Sequence, residues 1–417
     1  MHIRFEEDDV DSEAMETYAD EPLRASQLTF SAQPNETPAT LSVATSARVD
    51  FGSEDECYVY NVVNRFVGGS LAVAASLSNR RIKLYAGRET TLSPVGDLIG
   101  HQGNIQDIAF ALPEAASTLH SCALDGTVRG WEIRTKQEVE RLQASGRQLF
   151  SVSAFDNIVA AGSNSEVLFW DRRTGKLLQS FQDAHAEEVT QVKFHPEQPN
   201  TFLTASTDGL INVYNTSSGL NEDDGFQACL NTGNSAAEVG FYGPRGGRLW
   251  CRTHTEGLHL WDWAAACSEE GAEGSGAMLS MENFRQAAGE AAAAAGVKEL
   301  AGQVDYVIGC TFCPATGRLW ANAGSNQGSA AVFPVMEAPG GGFGIGCPSA
   351  VLAGGHSSVV RCLLRDGSGT RCITAGEDAR LCVWDLQDPS AAKPAAGASA
   401  LRAGSSQSRP GRRADQR

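Results

Sequence analysis

The chain has no uninterrupted apolar run of 18 residues, which excludes a membrane-spanning helix. Its start, MHIRFEEDDVD, is acidic and lacks an apolar core segment, so no secretory signal is expected. Basic residues are short: 33 Lys and Arg stand against 50 Asp and Glu, a formal net charge of −17. That deficit opposes direct nucleic-acid binding, which needs a basic footprint. The motifs GxxxxGK[ST] and HExxH are missing, as is a GxSxG in a strand–turn–helix setting. A paired cysteine framework is missing too, since the eleven cysteines are odd in number and scattered. They read as reduced thiols of a cytoplasmic or nuclear protein, neither secreted nor membrane-bound. Together these absences predict no catalysis, no cofactor, no metal and no small-molecule substrate.

Apolar residues make up 42% of the 417 positions, enough for a substantial core, and 44 glycines signal many turns. Charge is uneven. Residues 1–36 carry ten acids and two bases, a net of −8. Residues 393–417 carry six bases and one acid, a net of +5, which leaves −14 for the middle. Residues 1–40 and 389–417 are expected to be disordered tails, the second with Arg409, Arg412 and Arg413 as a weak basic patch.

The middle repeats itself. The best copies are SCALDGTVRGWE (121–132), TASTDGLINVYN (204–215) and TAGEDARLCVWD (374–385). The recurring aromatics are Tyr85, Trp131, Trp170, Tyr214, Trp261, Phe333 and Trp384, spaced 46, 39, 44, 47, 72 and 51 residues apart. Five spacings lie near the ~40–45 residues of a four-stranded propeller blade, so seven anchors predict a seven-bladed all-β propeller over 41–388. Asp125-Gly126 and Asp208-Gly209 are hairpin signals between its strands. The long spacing contains 267–300, expected as a mobile surface excursion, part helix. Residues near Leu41–Phe51 are expected to supply the outer strand of the last blade, because no strand-like run follows Asp385.

Three copies share a polar register: His101, Ser121, Asp125 and Trp131; His185, Thr204, Asp208 and Tyr214; His356, Thr374, Asp378 and Trp384. A hydroxyl, imidazole and carboxylate together suggest a catalytic triad. Triplication in register with the strands argues for structure instead. The indole N–H needs a buried acceptor, the hydroxyl accepts it and bonds the imidazole, and the Asp takes the other ring nitrogen. In blade four the Tyr214 phenol is expected to replace the indole. Blades one, three, five and six lack the full set and are expected to rest on apolar packing. Cys310 and Cys313 have CxxC spacing but no second pair, so both read as core thiols. His195 reads as a turn residue.

These registers, with Gly100-His101, Gly355-His356 and the Trp-Asp pairs at 170, 261 and 384, resemble the WD40 repeat family. Runs such as VTQVKFHPEQPN (189–200) and GGHSSVVR (354–361) are similar to the WD repeat-containing protein 89 group within it. The resemblance implies a non-enzymatic scaffold or adaptor that recognises protein partners through its loop faces, as a monomeric propeller within a complex. Gln102, Asn104, Glu187 and Ser357 follow the His positions and are candidate partner-binding rim residues. The stretch 158–173 also resembles the box by which substrate receptors dock to a cullin-4 ubiquitin ligase, with Trp170, Asp171 and Arg173 matching its end and Asn164 departing from it. A third reading is a protein-mediated role in nuclear ribosome or RNP assembly.

Overall fold

The computed structural model describes residues 39–41, 43–48 and 57–386, apart from 68–69, 89–90, 114–116, 268–275, 301–302, 338–341 and 367–368. The expected tails therefore lie almost wholly outside the described residues.

The strands form seven antiparallel-stranded sheets in sequence order, and the first strand of each touches the first strand of the next. The seventh touches the first, so the ring closes as a seven-bladed propeller. In blade two, strands a to d are Ile105–Phe110, Thr118–Ala123, Thr127–Glu132 and Gln137–Gln143. Blade four repeats this with Gln191–Phe194, Thr201–Ala205, Leu210–Asn215 and Phe226–Asn231. All seven aromatic anchors are buried on strand c of their blades.

The burial pattern explains the sequence pattern. Strand b of blade three, IVAAG, and strand c, VLFWD, are buried along almost their whole length because neighbouring blades cover both faces. The outer strand of blade two, QEVERLQ, is mostly exposed. Seven apolar clusters fill the seven interfaces between neighbouring blades, and none forms a single central core. Gly126 (φ 72°) and Gly209 (φ 84°) supply the left-handed turn between strands b and c. Blade seven places Ala379 there instead, at φ 56°.

The ring is closed by the chain's beginning. Val43–Arg48 pairs antiparallel with Arg380–Asp385 as the outer strand of blade seven, as expected. The strand before it was not expected. Ala39–Leu41 runs parallel to Ala350–Leu352 at the edge of blade six, so one short stretch spans two blades.

Within 267–300 the expected helix is present, but the described residues 279–294 are built into the propeller rather than forming a surface excursion. Leu279–Met281 is the outer strand of blade five, paired with Leu258–Trp261. Phe284–Ala294 is a helix whose Phe284, Ala287, Ala288, Ala291 and Ala292 are buried. These residues recur at helical spacing, and their small side chains let the helix lie close against blades five and six. Burying Phe284 alone contributes about 1.5–3 kcal/mol. The alanine run is an apolar stripe.

A chain of hydrogen bonds also runs round the channel from blade to blade. Asn61 donates to Asp107 Oδ1 (2.9 Å), and the Val152 N–H donates to Asp107 Oδ2 (3.1 Å). Ser151 donates to the Val189 carbonyl (3.1 Å) and Thr190 to that of Ala236 (2.8 Å). The Val307 N–H bonds Glu256, and the Val360 N–H bonds the Tyr306 hydroxyl (2.7 Å). Cys362 closes the circle on the Tyr60 carbonyl at 3.5 Å. Each blade is thus fixed to its neighbours by a directional contact as well as by apolar packing.

Candidate functional site

The polar register is assembled at one end of the strands. In blade two, Trp131 Nε1 donates to Ser121 Oγ at 2.8 Å, and Ser121 Oγ lies 2.7 Å from His101 Nε2. His101 Nδ1 lies 3.1 Å from Asp125 Oδ2. In blade seven the matching distances are 2.7 Å for Trp384–Thr374, 2.8 Å for Thr374–His356 and 2.9 Å for His356–Asp378. Ser121 and Thr204 are wholly buried, and Thr374 nearly so. A hydroxyl that accepts an indole proton inside a sealed interface has no route to a substrate.

Blade four departs from its expectation. His185 bonds Thr204 (2.8 Å) and Asp208 (3.0 Å), but the Tyr214 hydroxyl does not reach Thr204. Tyr214 pairs across the ladder with Phe202 and stacks on it, centroids 5.1 Å apart and planes 14° apart. A phenol carries its hydroxyl at the far tip of the ring, whereas an indole carries its N–H on the side. Tyr214 therefore serves the register only as an apolar body.

The carboxylates do more than bind imidazole. Asp125 accepts the Gln102 N–H (2.7 Å), Asp208 the Ala186 N–H (3.0 Å) and Asp378 the Ser357 N–H (2.9 Å). Each also accepts an N–H two residues on, from Thr127, Leu210 or Arg380. Burial opposes ionisation of Asp125, but hydrogen bonds from Thr127, the Gln102 N–H and His101 outweigh it and hold its pKa well below the usual range. Asp208 and Asp378 are lowered in the same way, against burial, by backbone N–H groups and their imidazoles. Burial lowers the pKa of His101 and His185, despite their carboxylate partners. A neutral imidazole between an ionised carboxylate and a hydroxyl follows.

The expected rim residues Gln102, Asn104, Glu187 and Ser357 are all exposed, on the face that carries the three carboxylates. Two of them, Gln102 and Ser357, have their own N–H groups fixed by an Asp, and Glu187 follows fixed Ala186. The ligase-like box is at the opposite face, where strand c of blade three ends. Trp170 is buried, so it is unavailable for contact. Arg173 is 68% exposed, but its Nε and Nη2 reach back to both Asp171 oxygens at 3.2 and 3.1 Å. The hydrogen-bonded pair lowers the Asp171 pKa and raises that of Arg173.

Sequence reading missed two polar groups. Asp107 is buried in strand a of blade two, where burial raises its pKa against the pull of Lys193. Its signal was an acid inside the apolar run IQDIAF. It helps line a channel cavity of about 370 Å3 together with Lys193, Glu238 and Arg252. His120 lies 3.0 Å from Glu140 across strand c of blade two. Gly130 makes room between them: a Cβ there would come within 2.7 Å of Glu140 Oε2.

Cys313 is buried, as expected of a core thiol, whereas Cys310 borders the channel cavity. Among the described residues no group of three or more His, Cys, Asp or Glu is placed to hold a metal ion. No helix among them is long and apolar enough to cross a membrane. His195 Nδ1 accepts the N–H groups of Glu197 (3.1 Å) and Gln198 (2.9 Å), holding the turn it begins.

The sequence family described as "WD domain, G-beta repeat" matches at residues 175–215 and 346–385. The chain is 35% identical over 364 residues to the WD repeat-containing protein GTS1 of Arabidopsis thaliana, covering 84% of this chain and 86% of that protein. It is 29% identical over 343 residues to the WD repeat-containing protein 89 homolog of Dictyostelium discoideum, covering 81% and 85%. Among solved structures, one chain of a crystal structure of the mitotic checkpoint complex aligns with a TM-score of 0.59 at 13% identity, over 87% of this chain and 100% of that one. At that identity the likeness is one of fold.

Proposed function

We propose that this chain, which belongs to the WD40 repeat family, acts as a non-enzymatic scaffold that binds protein partners through its loop face. One observation carries the reading: each half-buried Asp of the three registers fixes the N–H of the loop residue just after its His. The polar network thus turns core stability into a loop face held in one conformation. A preordered surface loses less entropy when a partner docks. The net charge of −14 over the middle of the chain favours basic partners and disfavours nucleic acid. Exposed Gln102, Asn104, Glu187 and Ser357 are the proposed contacts. Binding partners captured by the full chain and lost on joint replacement of these four by Ala, with the urea midpoint unchanged, test the proposal. Retention of every partner contradicts it.

Docking to a cullin-4 ligase adaptor is a separate proposal on the opposite face, favoured by the exposed Arg173. A partner carboxylate there would displace Asp171 from the guanidinium fork. Adaptor binding in a pull-down, abolished by Arg173→Ala, supports it; no binding removes it. A role in RNP assembly would run through protein partners, and early elution from heparin at low salt would argue against direct RNA binding.

A further inference from the structure

The segment between blades five and six builds a surface groove of about 620 Å3. One wall is the Phe284–Ala294 helix with the residue before its cap: Glu282, Gln286, Gly289, Glu290 and Ala293 line it. The other wall is Gln303 and Val304, where the chain enters blade six. Gly289 and Ala293 leave the middle of the groove shallow-walled and apolar. One carboxylate, Glu282, precedes the helix and a second, Glu290, lies along it between Gly289 and Ala293. Glu290, an exposed lining residue, accepts from Gln286 through Oε1 (2.9 Å). Arg285, the cation at the groove, is engaged by the Asp305 carbonyl oxygen at 3.2 Å.

A second observation lies beneath Glu282. His259 is 1% exposed and stacks on Trp261, and its Nε2 has no hydrogen-bond partner among the described residues. It faces Glu282 Oε1 at 3.4 Å, close in distance but poorly aligned. Burial pushes this imidazole down to about 4, so it is neutral and leaves the Glu282 charge uncompensated. Glu282 Oε2 accepts from Asn234 at 2.9 Å, which orients the carboxylate. The carboxylate is held in place, and among the described residues no lysine or arginine forms an ion pair with it.

We propose that this groove receives a lysine or arginine side chain carried on an extended segment of a protein partner, its stem along Gly289, Ala293 and Val304 and its cation between Glu282 and Glu290. Long basic side chains bury their methylenes on apolar surface and keep the charge at a polar end. The inference rests on the scaffold reading but names a site away from the four rim residues.

The test uses the full chain and fluorescein-labelled decapeptides, one with two central arginines, one with two lysines and one with two glutamates, read by fluorescence anisotropy. The basic peptides bind, and the acidic one does not. Glu282→Gln with Glu290→Gln weakens binding by about tenfold. Ala293→Trp, which fills the groove without changing charge, weakens it as much. Asp223→Asn with Asp224→Asn, exposed elsewhere on the acidic surface, leaves it unchanged. Equal losses from the second pair would show attraction to net charge alone and overturn the site, as would a bound peptide indifferent to Ala293→Trp. No basic-peptide binding at all also overturns it, while the scaffold reading still stands or falls on the rim variants. A chain ending at residue 386 separates a partner from the chain's own basic end. If basic-peptide binding tightens markedly in that chain, the groove is occupied by its own tail and the partner assignment is overturned.

Discussion

Asp378 accepts the backbone N–H of Ser357 at 2.9 Å and the imidazole of His356 at 2.9 Å, joining a buried register to an exposed loop. The same carboxylate therefore supports the core and the face where partners are proposed to dock. Its side chain is only 5% exposed, so loss of it leaves several donors without an acceptor. Asp378→Ala is expected to lower stability by about 1–3 kcal/mol. Urea denaturation checks this, and an unchanged midpoint contradicts it.

The registers of blades two and four should respond differently to losing a hydroxyl. Ser121→Ala strands the Trp131 N–H and a His101 nitrogen in a sealed interface, at a cost of about 1–3 kcal/mol. Tyr214→Phe keeps the ring on Phe202 and removes a hydroxyl that serves no register, so the cost stays within about 1 kcal/mol. Thermal or urea melts of the two variants give the comparison.

How much of this was readable in advance divides by distance along the chain. The anchors, hairpin turns and hydroxyl–Asp spacing are local, and they predicted seven blades and three tetrads, of which those of blades two and seven are complete. Tyr214 was misread because spacing specifies a position but not where a ring carries its polar atom. The Ala39–Leu41 strand was illegible because its partner, Ala350–Leu352, lies some three hundred residues away and the pairing is parallel. The 284–294 helix was expected but its buried face was not, because alanine has high helix propensity whether or not its face is covered. The Glu282–His259 relation depends on how that helix packs and was hidden with it.

Acid should weaken the fold in two stages. His101 and His185 have lowered folded pKa values, so the unfolded chain takes up their protons first as pH falls below about 6.5. Their contribution is full above that pH and is lost on going down towards the folded values. Asp125, Asp208 and Asp378 are also lowered, and their contribution is lost below about pH 4, as the unfolded carboxylates protonate. Urea midpoints are expected to fall from pH 7 to pH 5 and again below pH 4. A midpoint that rises on acidification to pH 5 contradicts the assignment of neutral buried imidazoles.

The N-terminal clasp should matter beyond its length. Deleting residues through Arg48 uncovers the edge of blade six and the strand c edge of blade seven together. Unpaired edges favour association between chains. Size-exclusion chromatography of that deletion is expected to show higher-order species, with monomer partly restored by a synthetic 39–48 peptide. A monomer of unchanged stability without the peptide contradicts the role of the clasp.

The central claim is that the carboxylate-pinned loop face is the partner-binding surface. Quantitative affinity purification of the full chain beside a Gln102→Ala, Asn104→Ala, Glu187→Ala, Ser357→Ala variant tests it most directly. The account predicts that the variant keeps its urea midpoint and loses a defined set of partners. An unchanged partner set in an equally stable variant contradicts it.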